Sequence, residues 1–287
     1  MNLFAQIIAN GVLQGGLYAV MALGLALVWG VLNIVNLSHG AFIMLGGYLS
    51  WHLYTLANID PFLGLPITAV VMFCLGYLLQ RGLLNLVVRA PMFNTLLITF
   101  GLEVVLTYLA QLAFSADFRT INPPYAGNGV DVFGIVLPVA RLIAFAIAIV
   151  LTLGMWTFLL HTRLGRAIRA TAQNLVAARL YGVEPRHLYA VTFGLGIALA
   201  GAAGGLYGVV SQVNPYIGAT LTAKSFAISI IGGLDNPMGV LVGGIFLGII
   251  ESLATLYIGP TFADVASFGV LVLVLIVRPS GLLGKTA

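Results

Sequence analysis

Two rows of polar side chains run through otherwise apolar stretches at a spacing of four residues: Gln6, Asn10, Gln14 and Tyr18, then Thr95, Thr99, Glu103, Thr107 and Gln111. Residues four apart share one helix face, so each row is a stripe of hydrogen-bonding groups that drifts slowly around its axis. Such a stripe suits two tasks, holding helices together inside a bundle or lining a path for a polar solute. Glu103 lies near the middle of its apolar run. A carboxylate there costs about 3 kcal/mol in lipid unless it meets a partner or water, which predicts that it points into the bundle. A third polar stretch, Asn36-Leu37-Ser38-His39-Gly40, separates two apolar runs. Its freed backbone groups could face a cavity, or it could be an ordinary turn at the membrane surface.

Catalytic constellations are thin. His39, His52, His161 and His187 have no metal-ligand spacing to one another or to cysteine. Ser38 and His39 are sequence neighbours, which point about 100° apart on a helix and cannot form a local nucleophile and base. Cys74 stands in an apolar run and is read as a small core residue; one cysteine builds neither a disulfide framework nor a metal cluster. The C-terminal GLLGKTA resembles a phosphate loop, but Pro279 occupies the place where the first glycine is required. No enzyme, metal site or cofactor is expected, and no ATP site within the chain.

The elements that would position these residues follow from composition: 61% hydrophobic and 7% charged, against about a quarter charged in soluble domains. The chain is read as one polytopic, all-α transmembrane domain over residues 1–287, with lipid accepting its apolar exterior. Crossing about 30 Å of hydrocarbon takes about 20 helical residues. Spans are predicted near 7–29, 40–57, 63–86, 92–114, 141–161, 188–211, 239–258 and 262–278. A shorter stretch at 219–234, interrupted by Gly232, Gly233, Asp235 and Pro237, is a further crossing or a re-entrant half-helix, giving eight to ten in all. The opening MNLFAQIIANG lacks a basic region and a small-residue cleavage site, so it is read as the start of the first span. Glycine pairs at 11/15, 204/208, 239/243 and 244/248 are expected to let helix backbones approach closely. Val35-Asn-Leu-Ser-His-Gly-Ala41 and Val213-Asn-Pro-Tyr-Ile-Gly-Ala219 share a V-N-x-x-x-G-A pattern, a hint of an internal repeat.

Five of the twelve basic residues, Arg163, Arg166, Arg169, Arg179 and Arg186, fall within residues 162–187. The positive-inside rule places this segment in the cytoplasm, with Arg81 and Arg89 in agreement and the 115–140 loop outside. Counting back puts the N-terminus outside, while Arg278 and Lys285 favour an inner C-terminus and hence an odd number of crossings. The net charge of +4 is explained by this bias and needs no nucleic-acid partner. Good helix formers dominate residues 166–181; Asn174 is placed to start a second short helix, Gly182 to cap it, and Pro185 to prevent continuation. Two short helices parallel to the membrane are predicted. Their small residues, Ala167, Ala170, Ala172, Ala177 and Ala178, would seat closely in a groove, and the arginines would offer forked donors to a partner's carboxylates.

These blocks carry a resemblance. TRLGRAIRATAQNLVAARLYGVEPRHLY, FGLGIALAGAAGGLYG, NPYIG, SIIGGLDNPMGVLVGGIFLGIIE, VRPSGLLG and the N-terminal GLYAVMALGLALVWGVLNIVNLSHGAFIMLGGY are similar to the permease subunit of bacterial branched-chain amino acid ABC transporters. The resemblance covers nearly the whole chain. It implies an inner-membrane permease that pairs with a homologous second permease, two cytoplasmic ATPase subunits that bind the ATP, and an extracytoplasmic binding protein that selects the ligand. It also implies that Gly165, Arg166, Arg169, Asn174, Ala177, Ala178 and Gly182 meet the ATPase. Permeases for urea, short-chain amides and simple sugars share much of the pattern and stay open as substrate classes. The implied mechanism is alternating access, with ATP hydrolysis in the partners moving the Arg-rich loop. A zwitterion with an aliphatic side chain needs a mostly apolar conduit with a few polar groups, for which Gln14, Tyr18, Asn36, Ser38, Thr99 and Glu103 are the candidates. Two other classes fit the residues: an ion-coupled carrier with a proton on Glu103 or Glu251, and a scaffold whose polar rows are only glue.

Overall fold

The computed structural model describes residues 2–88, 91–132, 134–233, 236–278 and 281–283; Arg89, Asp235, Pro279, Gly284 and Lys285, used above, lie outside them. The helices are α1 (Asn2–Leu32), α2 (His39–Ala57), α3 (Leu65–Gly82), α4 (Met92–Phe114), α5 (Val139–His161), α6 (Arg163–Gln173), α7 (Leu175–Leu180), α8 (Pro185–Val210), α9 (Ile217–Gly232), α10 (Pro237–Tyr257) and α11 (Ala263–Val277). Seven are long and apolar enough to cross a membrane, namely α1, α3, α4, α5, α8, α10 and α11. The more polar α2 and the 16-residue α9 complete the bundle. Every predicted span falls on a helix.

Burial sorts these helices into a centre and a rim. About nine-tenths of the apolar window of α1 and four-fifths of that of α8 are buried, against about one-tenth for α4 and α11. With lipid tails as apolar as leucine, close packing rather than the hydrophobic effect must join the central helices. Glycine provides it: Gly11 and Gly15 of α1 lie against the backbone of Gly244, Ile245 and Gly248 in α10, with no room for a Cβ. Gly204 meets Ile43 and Gly47 of α2 in the same way, and Gly239 and Gly243 lie on Gly232 of α9. The 11/15, 239/243 and 244/248 pairs are backbone seams, as predicted, whereas in the 204/208 pair only Gly204 meets backbone and Gly208 faces the side chains of Ile121 and Val213. Cys74 is not in the core: α3 buries Leu65, Thr68, Met72, Gly76 and Gln80, a row at spacings of three and four, and Cys74 is exposed on the other side.

The segment between α4 and α5 contains an antiparallel hairpin that the sequence reading left as loop, β1 (Gly129–Val132) with β2 (Ile135–Pro138). Gly134 turns it at φ +78° while its amide donates to the Asp131 carboxylate at 2.7 Å. Gln6 anchors it, donating to the Val136 carbonyl at 2.6 Å and accepting from the Val136 amide at 2.8 Å. The first polar row thus begins as an attachment for this hairpin.

The two sequence echoes occupy matching places, at the break before α2 and the break before α9. They touch: Gly40 packs directly on the Gly218 carbonyl, where any side chain at Gly40 would collide with backbone, while Gly218 in turn lies close against Gly40 and Ala41.

Candidate functional site

At the break between α1 and α2, Asn33 takes a left-handed conformation at φ +52° and helix geometry stops until His39. Backbone groups freed inside a bilayer must find partners within the protein. Side chains from two other helices supply them. Thr99 of α4 accepts from the Leu37 amide at 3.2 Å and donates to the Val35 carbonyl at 2.9 Å. Thr222 of α9 accepts from the Gly40 amide at 2.8 Å, satisfying a donor at the start of α2. Ser38, at the N-cap of α2, donates to Asn36 Oδ1 at 2.6 Å, and both are fully buried. His39 Nε2 lies 2.8 Å from the Met21 carbonyl, tying the start of α2 to α1. Asn36, Ser38 and Thr99 therefore form one buried knot that joins α1, α2 and α4.

A second cluster lies one layer away. Lys224, on the middle turn of α9, places Nζ 3.0 Å from Glu251 of α10 and 2.9 Å from Asp264 in the first turn of α11. Tyr18 of α1 donates to Glu251 Oε1 at 2.9 Å, and Lys224 Nζ sits 3.4 Å from the Tyr18 hydroxyl and 5.2 Å from the ring centroid. One ammonium therefore faces two carboxylates, and the second oxygen of Glu251 is buried without a partner among the described residues. The lysine side chain is 10% exposed and that of Glu251 19%, whereas Asp264 is half open at 50%. The cluster thus sets one ammonium against two carboxylates, leaving a surplus of negative charge.

The sequence reading did not single out Lys224 or Asp264. The available signal was a lysine in the apolar run ATLTAKSFAISIIG, costing about 3 kcal/mol at a span centre unless paired. Tyr18, chosen from its row, belongs to this cluster, and Gln14 is one turn away on the same face and half-buried. Glu103 stands apart. Thr95 and Thr99 are buried, but each step of four residues turns about 40°. By Glu103 the row has reached the flank of α4, half-buried, and its one hydrogen bond among the described residues is from Thr107 of its own helix, at 3.4 Å. It does not reach the bundle centre.

The Arg-rich segment folds as two short helices, as predicted. Thr162 caps α6 by accepting from the Gly165 amide at 2.9 Å, and Asn174 caps α7 by accepting from the Ala177 amide at 2.9 Å. Gly182 closes α7 at φ +83°, where the Val183 amide reaches back to the Ala178 carbonyl at 3.2 Å. Gly165 sits against Phe158 and Leu159 of α5 without space for a Cβ, and Ile168, Thr171 and Ala178 are buried beside it. Two arginines have intramolecular work. Arg166 donates to the His161 carbonyl at 3.0 Å and Arg169 to the Leu160 carbonyl at 3.3 Å, placing positive charge at the C-terminus of α5. The outer face combines apolar and cationic groups, with Val176, Leu180 and Tyr181 at 69%, 84% and 90% exposure beside Arg179. This is an exposed surface of mixed apolar and cationic character at one end of the bundle.

Comparison with known proteins adds an independent line. Residues 7–276 match the model of a family described as branched-chain amino acid transport system, permease component. The high-affinity branched-chain amino acid transport system permease protein LivH of Escherichia coli is 30% identical over 98% of this chain and 96% of its own length. The permease protein BraD of Pseudomonas aeruginosa is 29% identical over the same shares, 98% and 96%. The permease protein LivM of Escherichia coli is 26% identical over 94% of this chain and 68% of its own length. No solved structure matches.

Proposed function

This chain belongs to the family of permease components of branched-chain amino acid transport systems, and from that premise we propose how it works. It is a multi-pass inner-membrane importer subunit for branched-chain amino acids and carries out no chemistry of its own. Matches to both LivH and LivM support pairing with a second, homologous permease, each supplying half of the pathway. Two cytoplasmic ATPases bind the ATP, and an extracytoplasmic binding protein delivers the ligand. The seat for an ATPase is the surface of α6 and α7 from Gly165 to Gly182, including Arg166, Arg169, Asn174, Ala177 and Ala178. Its motion passes to the bundle through Gly165, which is wedged on α5.

The observation that carries the transport reading is the Lys224–Glu251–Asp264–Tyr18 cluster, an opposed set of charges inside an apolar bundle that matches the two charges of an amino acid. Tyr18 and Gln14 border the path there. Asn36, Ser38 and Thr99 act as the hinge that keeps the broken α1–α2 backbone satisfied while the helices rock, and Glu103 lines the flank of α4. Glu251, which a proton-coupled carrier would need free, is ion-paired with Lys224. The test is reconstitution with the second permease, ATPases and binding protein. Leucine with binding protein stimulates ATP hydrolysis and is accumulated, whereas urea and ribose do neither. Accumulation by this chain alone under a pH gradient would overturn the reading in favour of a secondary carrier.

A further inference from the structure

Where α3, α7 and α8 come together at the Arg-rich end of the bundle, two adjoining clefts of about 310 Å³ and 490 Å³ share Asn85, Leu86 and Arg186. Arg81, from the last turn of α3, enters the first; Arg179, from the last turn of α7, enters the second. Three arginines from three separate elements thus line the joined recess, with Glu184 as the single carboxylate residue among the described residues of its walls. None of the three takes part in an ion pair among the described residues.

The recess is built rather than incidental. Arg81 Nη1 is held by the Tyr77 hydroxyl at 2.9 Å, and that oxygen lies 3.1 Å from Nδ1 of His187. The fully buried Gln80 holds Asn85 at 3.2 Å, and Asn85 donates to the Arg186 carbonyl at 3.3 Å. Charge bias alone accounts for arginines at inner helix ends, but not for three of them lining two adjoining clefts, one held by the Tyr77 hydroxyl and one fixed at its backbone carbonyl by Asn85. The other wall is apolar, formed by Leu86, Val88 and Leu175. Leu86 is 78% exposed, and the apolar surface continues up α3 through the 65% exposed Leu78. A cationic cup at the end of a membrane helix, opening onto an exposed apolar strip, has the two chemistries of one molecule.

We propose that this recess binds an anionic phospholipid of the inner leaflet, with its phosphate among Arg81, Arg179 and Arg186 and its acyl chains along the Leu78–Leu86 side of α3. Forked guanidinium donors suit phosphate oxygens, and the recess is large enough for a glycerophosphate head. The bound lipid bridges α3 to both sides of the Gly182 turn, so it holds the α6–α7 segment in register with the bundle. The site needs only a membrane–water boundary at this end and is independent of which solute is transported.

The test uses the purified full-length protein in detergent and in phosphatidylcholine vesicles with or without phosphatidylglycerol. Native mass spectrometry is expected to show phosphatidylglycerol retained in preference to phosphatidylcholine, and phosphatidylglycerol to raise the melting temperature. Arg81→Gln with Arg186→Gln weakens retention roughly a hundredfold, about tenfold for each charge-assisted hydrogen bond lost. Arg163→Gln, at the start of α6 and outside the recess, leaves it unchanged; unaltered circular dichroism shows that the double variant is folded. Equal retention of the two lipids, or an equal loss with Arg163→Gln, overturns the proposal. So does stabilisation by inorganic phosphate without lipid retention, which would make this a soluble-anion site. Loss of ATPase co-purification with lipid retention intact would identify a protein contact instead, and would also overturn it.

Discussion

Replacing Lys224 with methionine keeps most of the side-chain volume and removes the only cation in its cluster. Glu251 and Asp264 then face each other without their shared partner, at sites where Nζ had stood 3.0 Å and 2.9 Å from them. Each contact is worth about 5 kcal/mol of Coulomb energy at an effective dielectric constant of about 20, before the cost of desolvating the charges. Breaking a buried pair by removing one partner costs about 3–5 kcal/mol net. The lower end applies, because the Asp264 side chain is 50% exposed and can regain water. A loss of about 3 kcal/mol is expected in unfolding of the purified protein, with the double variant Lys224→Met/Glu251→Gln recovering to within about 1 kcal/mol of the parent. Leucine uptake by the reconstituted complex separates stability from transport: the double variant folds and assembles but does not transport. Additive losses in the double variant would refute the ionic coupling. A double variant that folds and transports normally would show that the cluster is structural and refute its place on the path.

Three further outcomes follow from other contacts. Thr99→Val removes the hydroxyl that serves both the Leu37 amide and the Val35 carbonyl and should cost about 1–3 kcal/mol in unfolding; an unchanged melt would mean that another group satisfies the break. Gly40→Val drives a side chain into the Gly218 carbonyl and should prevent assembly of the bundle, read as loss of monodisperse protein on size exclusion, whereas Gly101→Val on open α4 surface should be silent. Arg166→Glu should abolish leucine-stimulated ATP hydrolysis or ATPase co-purification. Arg166→Gln, which also loses the cap on α5, separates the contributions: it should cost only about 0.3–1 kcal/mol of stability and leave ATPase association largely intact.

Much of the scaffold was legible in the chain. Apolar run lengths predicted every long helix, because a membrane span has a minimum length. Asn174 and Gly182 marked the two ends of α7, because capping depends on residues within one turn. The hairpin at β1 and β2 was not legible, since it depends on Gln6, which is 130 residues from its partner Val136. Cys74 was misplaced because an apolar run does not reveal which side faces lipid. The row through Glu103 was regular in sequence, yet only the first half of it packs inward. Arg166 and Arg169 looked free for a partner until the end of α5 was seen beneath them.

Taken alone, the sequence determined the solvent, the approximate extents of the long helices, and the two short helices of the Arg-rich segment, all of which follow from composition, run length and local hydrogen bonding. It left the count of crossings at eight to ten, where seven helices among the described residues are long and apolar enough to span. Only the tertiary structure decided what the polar groups meet. It gathered Tyr18, Lys224, Glu251 and Asp264, scattered over four helices, into one cluster in which Lys224 reaches each of the other three. It also set the break before α2 against the break before α9 at Gly40 and Gly218. Periodicity reports which face of a helix is polar, whereas the partner of that face depends on how helices distant in sequence cross, and that is settled by packing.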